Sequence, residues 1–487
     1  MRDNERPPIN ARMVRNHFQW LAAPAVLVLS FRKALILSAV ASLLTAAEPG
    51  VPDFSFAGYH SGRDPLPARG TASVNVRDFG ARGDGQQDDS AAFLKAIAAL
   101  DRGVILVPAG RYRITSILEI HKSGMVLRGE GPEKTTLYFP IPLNDIRPNW
   151  GATTTGDRTS NYSWSGGFVW IGGRATHRVL ADVTAEARRG DSRVAVSSAS
   201  GLKPGQWVEV AEKDTPANTL ADWIYSGDPG DVRQLRGRTR VSLASRITSV
   251  GDGAIDLERP LRFDLRAQWH PQILAFEPSA SESAVEDLTF EFPPAEYRGH
   301  FTELGFNAVA LDNTANCWVR HIRILNPDSG IFITGMFNTV DNAAFESQRQ
   351  GNQGLVAHHG IYLSGSDNLF THFDYRMQFI HDITVSESAG NVISAGKGID
   401  LDFDHHVRAP FENLWTDIDA GAGTRLWESG GGNGLGRHCG SRETFWNIRA
   451  KRPPAAPPPG WAAPGIIFLP DATPPDLHLK QLSERLK

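Results

Sequence analysis

Residues 308–345, AVALDNTANCWVRHIRILNPDSGIFITGMFNTVDNAAF, contain two short apolar strands, AVAL and GIFITG, each followed by a turn asparagine, Asn316 and Asn338. An apolar run follows each asparagine with the same spacing: Val319, Ile322 and Ile324, then Val340, Ala343 and Phe345. The pattern continues as GIYLSG before Asn368, with Phe370, Phe373 and Tyr375 after it, as DITVSE before Asn391, and ends at Asn413. The asparagines are 22, 30, 23 and 22 residues apart. A repeat of that length marks a solenoid. The runs are too short, too β-branched and too glycine-punctuated for helices, so the reading is stacked β-coils. Inward side chains then pack on like neighbours, and the asparagines are expected to form a ladder of side-chain amides.

Composition agrees with a turn-rich β protein: 47 glycines and 31 prolines in 487 residues. The length admits two or three average domains, but repetitive β architectures run longer as one unit. Residues 1–47 read as a leader. Phe31-Arg32-Lys33 precedes the apolar run ALILSAVASLL, and Thr45-Ala46-Ala47 supplies the small residues of a cleavage site. The apolar stretch HFQWLAAPAVLVLSF before it makes the leader long, which fits either a start at Met13 or an uncleaved anchor. Cleavage near Ala47 would send the chain to the periplasm or outside the cell, with no stable membrane partner unless the leader is retained. The remaining chain has 44 basic and 52 acidic residues, a net charge of −8, which excludes a basic nucleic-acid binder. Cys317 and Cys439 make no metal or redox spacing and read as packed thiols, although a bridge between them is open.

Near the amino terminus, VNVRDFGARGDGQQDDSAAFLKAIAAL leads into GVILVPAGRYRI and MVLRGEG. Asp88-Asp89-Ser90 reads as a helix start with a capping side chain ahead of Ala91–Leu100, so the two aspartates are assigned to capping rather than catalysis. The motif V-x-D-F-G-A-x-G-D-G-x-x-D-D-[ST]-x-A, followed by V-P-x-G-x-Y, resembles the opening of the pectate-lyase-like secreted carbohydrate-active enzymes. That resemblance implies an all-β, single-stranded right-handed parallel β-helix closed at its amino-terminal end by a capping helix. It is specific for fold and weak for reaction, because lyases, glycosidases, epimerases and tailspikes share it.

The expected layout is a cap with the first coils at 48–140, an inserted aromatic loop and small β module at 141–280, main coils at 281–450, and a proline-rich tail at 451–487 lying along the outside. Hairpin-like texture in ARRGDSRVAVSSASGLKPGQWVEV and RITSVGDGAIDLERPLRF marks the module. Trp150, Trp164, Trp170, Trp223 and Tyr225 are dense in that region and either stack on sugar rings or pack the module, with Trp164 the candidate substrate contact.

The segment GKGIDLDFDHH, residues 396–406, raises the functional question. As a continuous strand it sends Ile399, Leu401 and Phe403 to one face and Asp400, Asp402 and Asp404 to the other. Aligning Gly360-Ile361-Tyr362-Leu363 on Asp382-Ile383-Thr384-Val385 puts His359 beside His381, with Asp404, His405 and Arg425 in the following coils. His321 and His372 read as structural. A column of His359, His381, Asp404, His405 and Arg425 reads as a site, because stacked like groups are costly unless water, metal or substrate separates them. The candidate catalytic residues are therefore His381, Asp402, Asp404, His405 and Arg425. His359, Arg376, Lys397, His406 and Arg408 are candidate substrate contacts, and Asp400, Asp402 and Asp404 a candidate Ca²⁺ site.

That chemistry suits β-elimination from a uronic-acid polysaccharide. His381 or His405 would move the proton, Arg425 and Arg376 would clamp the sugar carboxylate, and Asp402 with Asp404 would orient the histidines or hold a cation. The aspartate row equally fits inverting hydrolysis. The polygalacturonase motifs N-T-D, D-D, G-H-G and R-I-K are absent from the late coils. The aspartates with Arg408 or Lys397 loosely resemble calcium-dependent pectate lyases, and FDHH is similar to the Asp-Pro-His site of uronate epimerases. A non-catalytic tailspike or adhesin is a further alternative. The expected partner is a polysaccharide, and the chain is expected to be a monomer.

Overall fold

A computed structural model describes residues 50–153 and 155–487. The leader expected at 1–47 lies outside them. Residues Val51–Lys487 form a parallel β-helix. One wall is a parallel sheet whose strands include Leu118–Ile120, Val169–Gly172, Asn307–Ala315, Ser329–Met336, Leu355–Leu363, Gln378–Val385 and Phe403–His405. The other walls merge into a 16-stranded sheet, because strands such as Ala284–Glu291 bend and pair on two faces. The right-handed coil follows from the handedness of parallel crossovers.

Period two along each strand sends alternate residues inward, and register stacks them. Val169, Val309, Ile331, Ile361, Ile383 and Phe403 form one column, all fully buried. On the opposite wall Val319, Val340, Phe370, Ile393, Trp415 and Phe445 form another. Each such side chain stabilises the fold by about 1.5–3 kcal/mol on burial.

The asparagine ladder is present, with one correction. Each amide Nδ2 of Asn338, Asn368 and Asn391 donates to the Oδ1 of the next asparagine at 3.0 Å, ending at Asn413. Asn316 is not a rung. Trp318 is in register with Thr339, so the position equivalent to Asn338 is Cys317, and Asn316 instead accepts from the His60 amide. At the far end Glu443 replaces asparagine and accepts from the Asn413 amide and from Trp415 Nε1.

Helix Ser90–Ala98 closes the first coil with Phe93 and Ala96, Phe93 meeting Tyr112 edge-on at 5.5 Å. Asp89 does not cap it through its side chain. It is buried and accepts from the amides of Arg82 and Gly83, holding the preceding loop, while Asp88 accepts from the Ser90 amide. The tail ends in helix Leu477–Arg485, which packs against Phe54, Leu414 and Trp446, and Gln481 bonds both Pro52 and Phe54. Cys317 and Cys439 are buried free thiols.

The inserted module is a six-stranded antiparallel sheet from Val179 to Ala275. Val169–Gly172, inside the range read as insert, belongs instead to the helix wall. Buried Arg259 and Arg262 both bind Asp367 on the coils and fix the module's seat. Among the described residues no helix is long and apolar enough to cross a membrane.

Glu212, on strand Trp207–Lys213, is buried with one carboxyl oxygen lacking a partner. Burial raises its pKa from the ordinary 4.5 to about 8. The folded protein therefore keeps a proton that the unfolded chain releases near 4.5, so this contribution to stability is full below that pH and is lost as pH rises through about 8. Glu212→Gln mimics the protonated acid. Urea unfolding at pH 6 and pH 9 is expected to show wild type losing about 3 kcal/mol that the variant keeps, from two units below the folded pKa at about 1.4 kcal/mol per unit.

Candidate active site

GKGIDLDFDHH is not one strand. Lys397–Gly398 and Phe403–His405 are separate strands in different sheets, joined by a bend that packs against Gly421. The alternation expected across the three aspartates therefore breaks. Ile399 is half exposed, whereas Leu401 and Phe403 lie in the core. Asp400 accepts from the Thr424 amide and hydroxyl. Asp402 faces inward against Asp382: each amide donates to the other's carboxylate, at 2.5 and 3.0 Å. The three aspartates do not converge, and the Ca²⁺ set Asp400, Asp402 and Asp404 does not fit. No group of three ligand-type side chains among the described residues contains two of them.

Arg425 is likewise structural. Its guanidinium is buried beneath the coil, donating to Asp382, to the carbonyls of Phe379, Ile380 and Asp400, and to Glu428. Burial raises the pKa of both Asp382 and Asp402, and Arg425 pulls against it. Arg376 and Lys397 lie on the other sheet, paired with Asp374. Arg408 is paired with Glu387. None of these cations is a free carboxylate clamp.

His405 also leaves the site. Thr384 is in register with Asp404, so one residue further on His405 turns inward. It is fully buried, packs on Trp415 and Trp461, and shares hydrogens with the Phe403 carbonyl and Glu443, the last rung of the ladder.

On the outer face, two rows do meet. His359 is in register with His381, their rings stacked at 4.9 Å. Phe332, Tyr362, Thr384 and Asp404 form the adjacent row across four strands. At its end Asp404 accepts from the Thr384 hydroxyl (2.9 Å) and the Gly430 amide (2.7 Å), and its Oδ2 lies 2.9 Å from His406 Nδ1 and 3.4 Å from His381 Nδ1. Burial pushes the Asp404 carboxyl up, but the His381 and His406 imidazoles, the hydrogen bond to His406 and the Gly430 amide bring it below the usual carboxylate range. Asp404 is fully buried, while His406 keeps a quarter of its side chain exposed. The group that can touch a ligand is therefore His406, oriented by Asp404.

Several participants were not singled out in the sequence. His358 packs its ring 4.1 Å from His359, and His300, from the loop before Asn307, brings Nε2 to 2.8 Å from His358 Nε2. Burial and neighbouring imidazoles hold His358 and His359 well below the ordinary histidine value; burial takes His381 down to about 3. These rings are neutral at pH 7. Thr384 positions Asp404, and Gly430 fits because a Cβ there would lie 2.5–2.6 Å from the His406 and His381 rings. The doubled histidines of AHHG and DHH were the available signal; nothing in the sequence flagged His300. Trp164 meets Phe301 edge-on at 5.9 Å, and Phe301 stacks on His300 at 3.6 Å, so Trp164 extends the wall beside the histidines. A cleft of about 490 Å³ runs between the module and the carboxyl ends of the same strands, lined by Thr334, Ser364, Ser366 and Glu387 opposite His177 and Phe276.

Comparison with known proteins gives the same fold and a glycan-related neighbourhood. Residues 73–140 match the family model described as rhamnogalacturonase A/epimerase, pectate lyase-like. The chain is 33% identical over 97 residues to mannuronan C5-epimerase AlgE4 of Azotobacter vinelandii, covering 18% of each chain. It is 31% identical over 100 residues to alginate lyase 7 of the same organism, covering 19% of this chain and 12% of that one. The chain thus spans less than a fifth of the length of these curated relatives. Among solved structures, the tailspike protein gp49 from Pseudomonas phage LKA1 superposes with a TM-score of 0.50 at 11% identity, over 77% of this chain and 59% of that one. The chain is a parallel β-helix protein whose residues 73–140 are similar to a pectate-lyase-like family, and the matched sequence relatives are carbohydrate-active.

Proposed function

We propose that the protein is an exported polysaccharide lyase that cleaves a uronic-acid-containing glycan by β-elimination on the outer face of this wall. One observation carries the reading: an Asp404–His406 pair stands at the end of an outward row that also holds Phe332 and Tyr362. Phe332 is buried behind Tyr362, ring centroids 6.0 Å apart, and Tyr362 is the partly exposed ring of the row on which a sugar can stack. Asp404 holds His406 through Nδ1 and leaves Nε2 free to accept a proton. His406 would take the hydrogen from the carbon bearing the uronate carboxylate. The electron pair of that C–H bond forms the new C=C bond, the bond to the glycosidic oxygen breaks, and the oxygen leaves with its pair. Tyr362, whose pKa burial pushes up to about 12, stays protonated and can supply that oxygen's proton. Its ring lies 6.3 Å from that of His406. Epimerisation begins with the same abstraction and differs only in the face from which a proton returns. Inverting hydrolysis is less favoured, because Asp402 is turned inward and Asp400 is tied to Thr424.

The test is ultraviolet absorbance and reducing-end formation with a panel of uronic-acid polysaccharides. Rising absorbance together with new reducing ends is the expected result. New ends with flat absorbance would replace the reading with hydrolysis, and silence in both would remove it.

A further inference from the structure

We propose that His300, His358 and His381 form a binding site for one divalent transition-metal ion, positioned to neutralise the carboxylate of the sugar undergoing proton abstraction. The role, though not the ion site itself, rests on the lyase reading above.

The ligand nitrogens come from a loop and two successive coils, and one from each residue lies within 4.8 Å of the others. Both ring nitrogens of His381 are buried without any hydrogen-bond partner, on a side chain more than nine-tenths buried; Asp404 lies near Nδ1, which leaves Nε2 as the unmet ligand atom. Such an orphan costs about 1–3 kcal/mol unless something occupies it. His300 Nε2 and His358 Nε2 face each other at 2.8 Å. Two nitrogens bound tetrahedrally to one ion at about 2.0–2.1 Å would stand slightly further apart, a shift of about half an ångström.

The surroundings match a metal site as well. Ligating histidines generally have a carboxylate behind the ring. Buried Glu303 lies 3.7 Å from His358 Nδ1, held by the Tyr297 and Ser163 hydroxyls, and Asp404 lies 3.4 Å from His381 Nδ1. An all-imidazole set selects zinc, cobalt or a neighbouring metal rather than calcium, which takes oxygen ligands. Three protein ligands, one of them the exposed His300, leave a coordination position open to a substrate oxygen. Such an ion supplies the positive charge that Arg425, Arg376, Lys397 and Arg408 do not provide here. The other two ligand-type clusters are less suitable. In His381–Asp404–His406 the aspartate and His406 Nδ1 already satisfy each other, and in His405–Cys439–Glu443 both His405 nitrogens are bonded.

The experiment uses the mature chain stripped with chelator, then titrated with cobalt(II) and zinc(II) by equilibrium dialysis, with the visible cobalt spectrum recorded. One equivalent per chain and a tetrahedral cobalt spectrum are expected. His300→Ala, on an exposed loop where folding is not at stake, should weaken binding by about 100-fold or more, and Glu303→Gln by about 10–100-fold. No binding by the wild-type chain, or unchanged binding in His300→Ala and His358→Ala, overturns the site. The two readings separate cleanly. Metal binding without elimination on any uronate would sink the lyase assignment and leave the site, whereas elimination by metal-free protein would sink the metal's role and leave the lyase.

Discussion

Arg425→Met is expected to destabilise the protein by about 3–5 kcal/mol, because it leaves buried carboxyls without the charge they were folded against. Asp382 and Asp402 are both nearly inaccessible and hydrogen-bonded to one another's backbone, and Arg425 is the cation that reaches them, at 3.3 and 3.9 Å. It also ties the carbonyls of Phe379 and Ile380, the residues just before His381. Arg425→Lys keeps the charge but not the planar fork, and should restore only part of the loss. Asp402→Asn should behave very differently. Burial works against the charged form of Asp402, and an Asn carbonyl oxygen can still accept from the Asp382 amide, so its loss should be smaller than that of Arg425→Met. Urea denaturation of the three variants measures this directly. An Arg425→Met protein as stable as wild type would show that the two acids need no counter-charge.

Arg425 and Asp402 also mark where sequence could and could not place the site. The coils were legible because burial is periodic: Ile331, Ile361, Ile383 and Phe403 had to face one way, and that fixed His359 opposite His381. The ladder was legible except at Asn316, where a one-residue offset put Cys317 on the rung. The acidic segment failed for a physical reason. Period two holds only within a strand, and the backbone bends between Gly398 and Phe403, so carboxylates at even spacing point three different ways. The same sensitivity exchanged His405 and His406, since one step along a strand turns a side chain from solvent to core. His300 was beyond reach, because loop closure brings it from 58 residues before His358 without any repeat to register it. Arginines could not be assigned from proximity in sequence, as Arg376 and Lys397 fall on another wall of the same coil.

Asp404→Asn is expected to lower kcat by about 10²–10⁴ while leaving the fold intact, the range that proton transfer and its orientation supply. The argument is tautomeric. Asp404 faces His406 Nδ1, so Nδ1 carries the hydrogen and Nε2 is free to act as base. An amide in its place can donate to Nδ1, which favours the tautomer protonated at Nε2, and that nitrogen can no longer accept. The Thr384 hydroxyl and Gly430 amide can still donate to the Asn carbonyl oxygen in part, so melting should change much less than rate. His406→Ala should lose a similar amount, and the double variant little more than either alone, because the pair acts as one unit. His405→Gln gives the contrast. It disturbs Glu443 at the end of the asparagine ladder, so it should lower stability and, in whatever protein folds, leave the elimination rate near wild type. Rates equal in wild type and Asp404→Asn, or a His405→Gln protein that folds normally and is inactive, would assign the proton to another group.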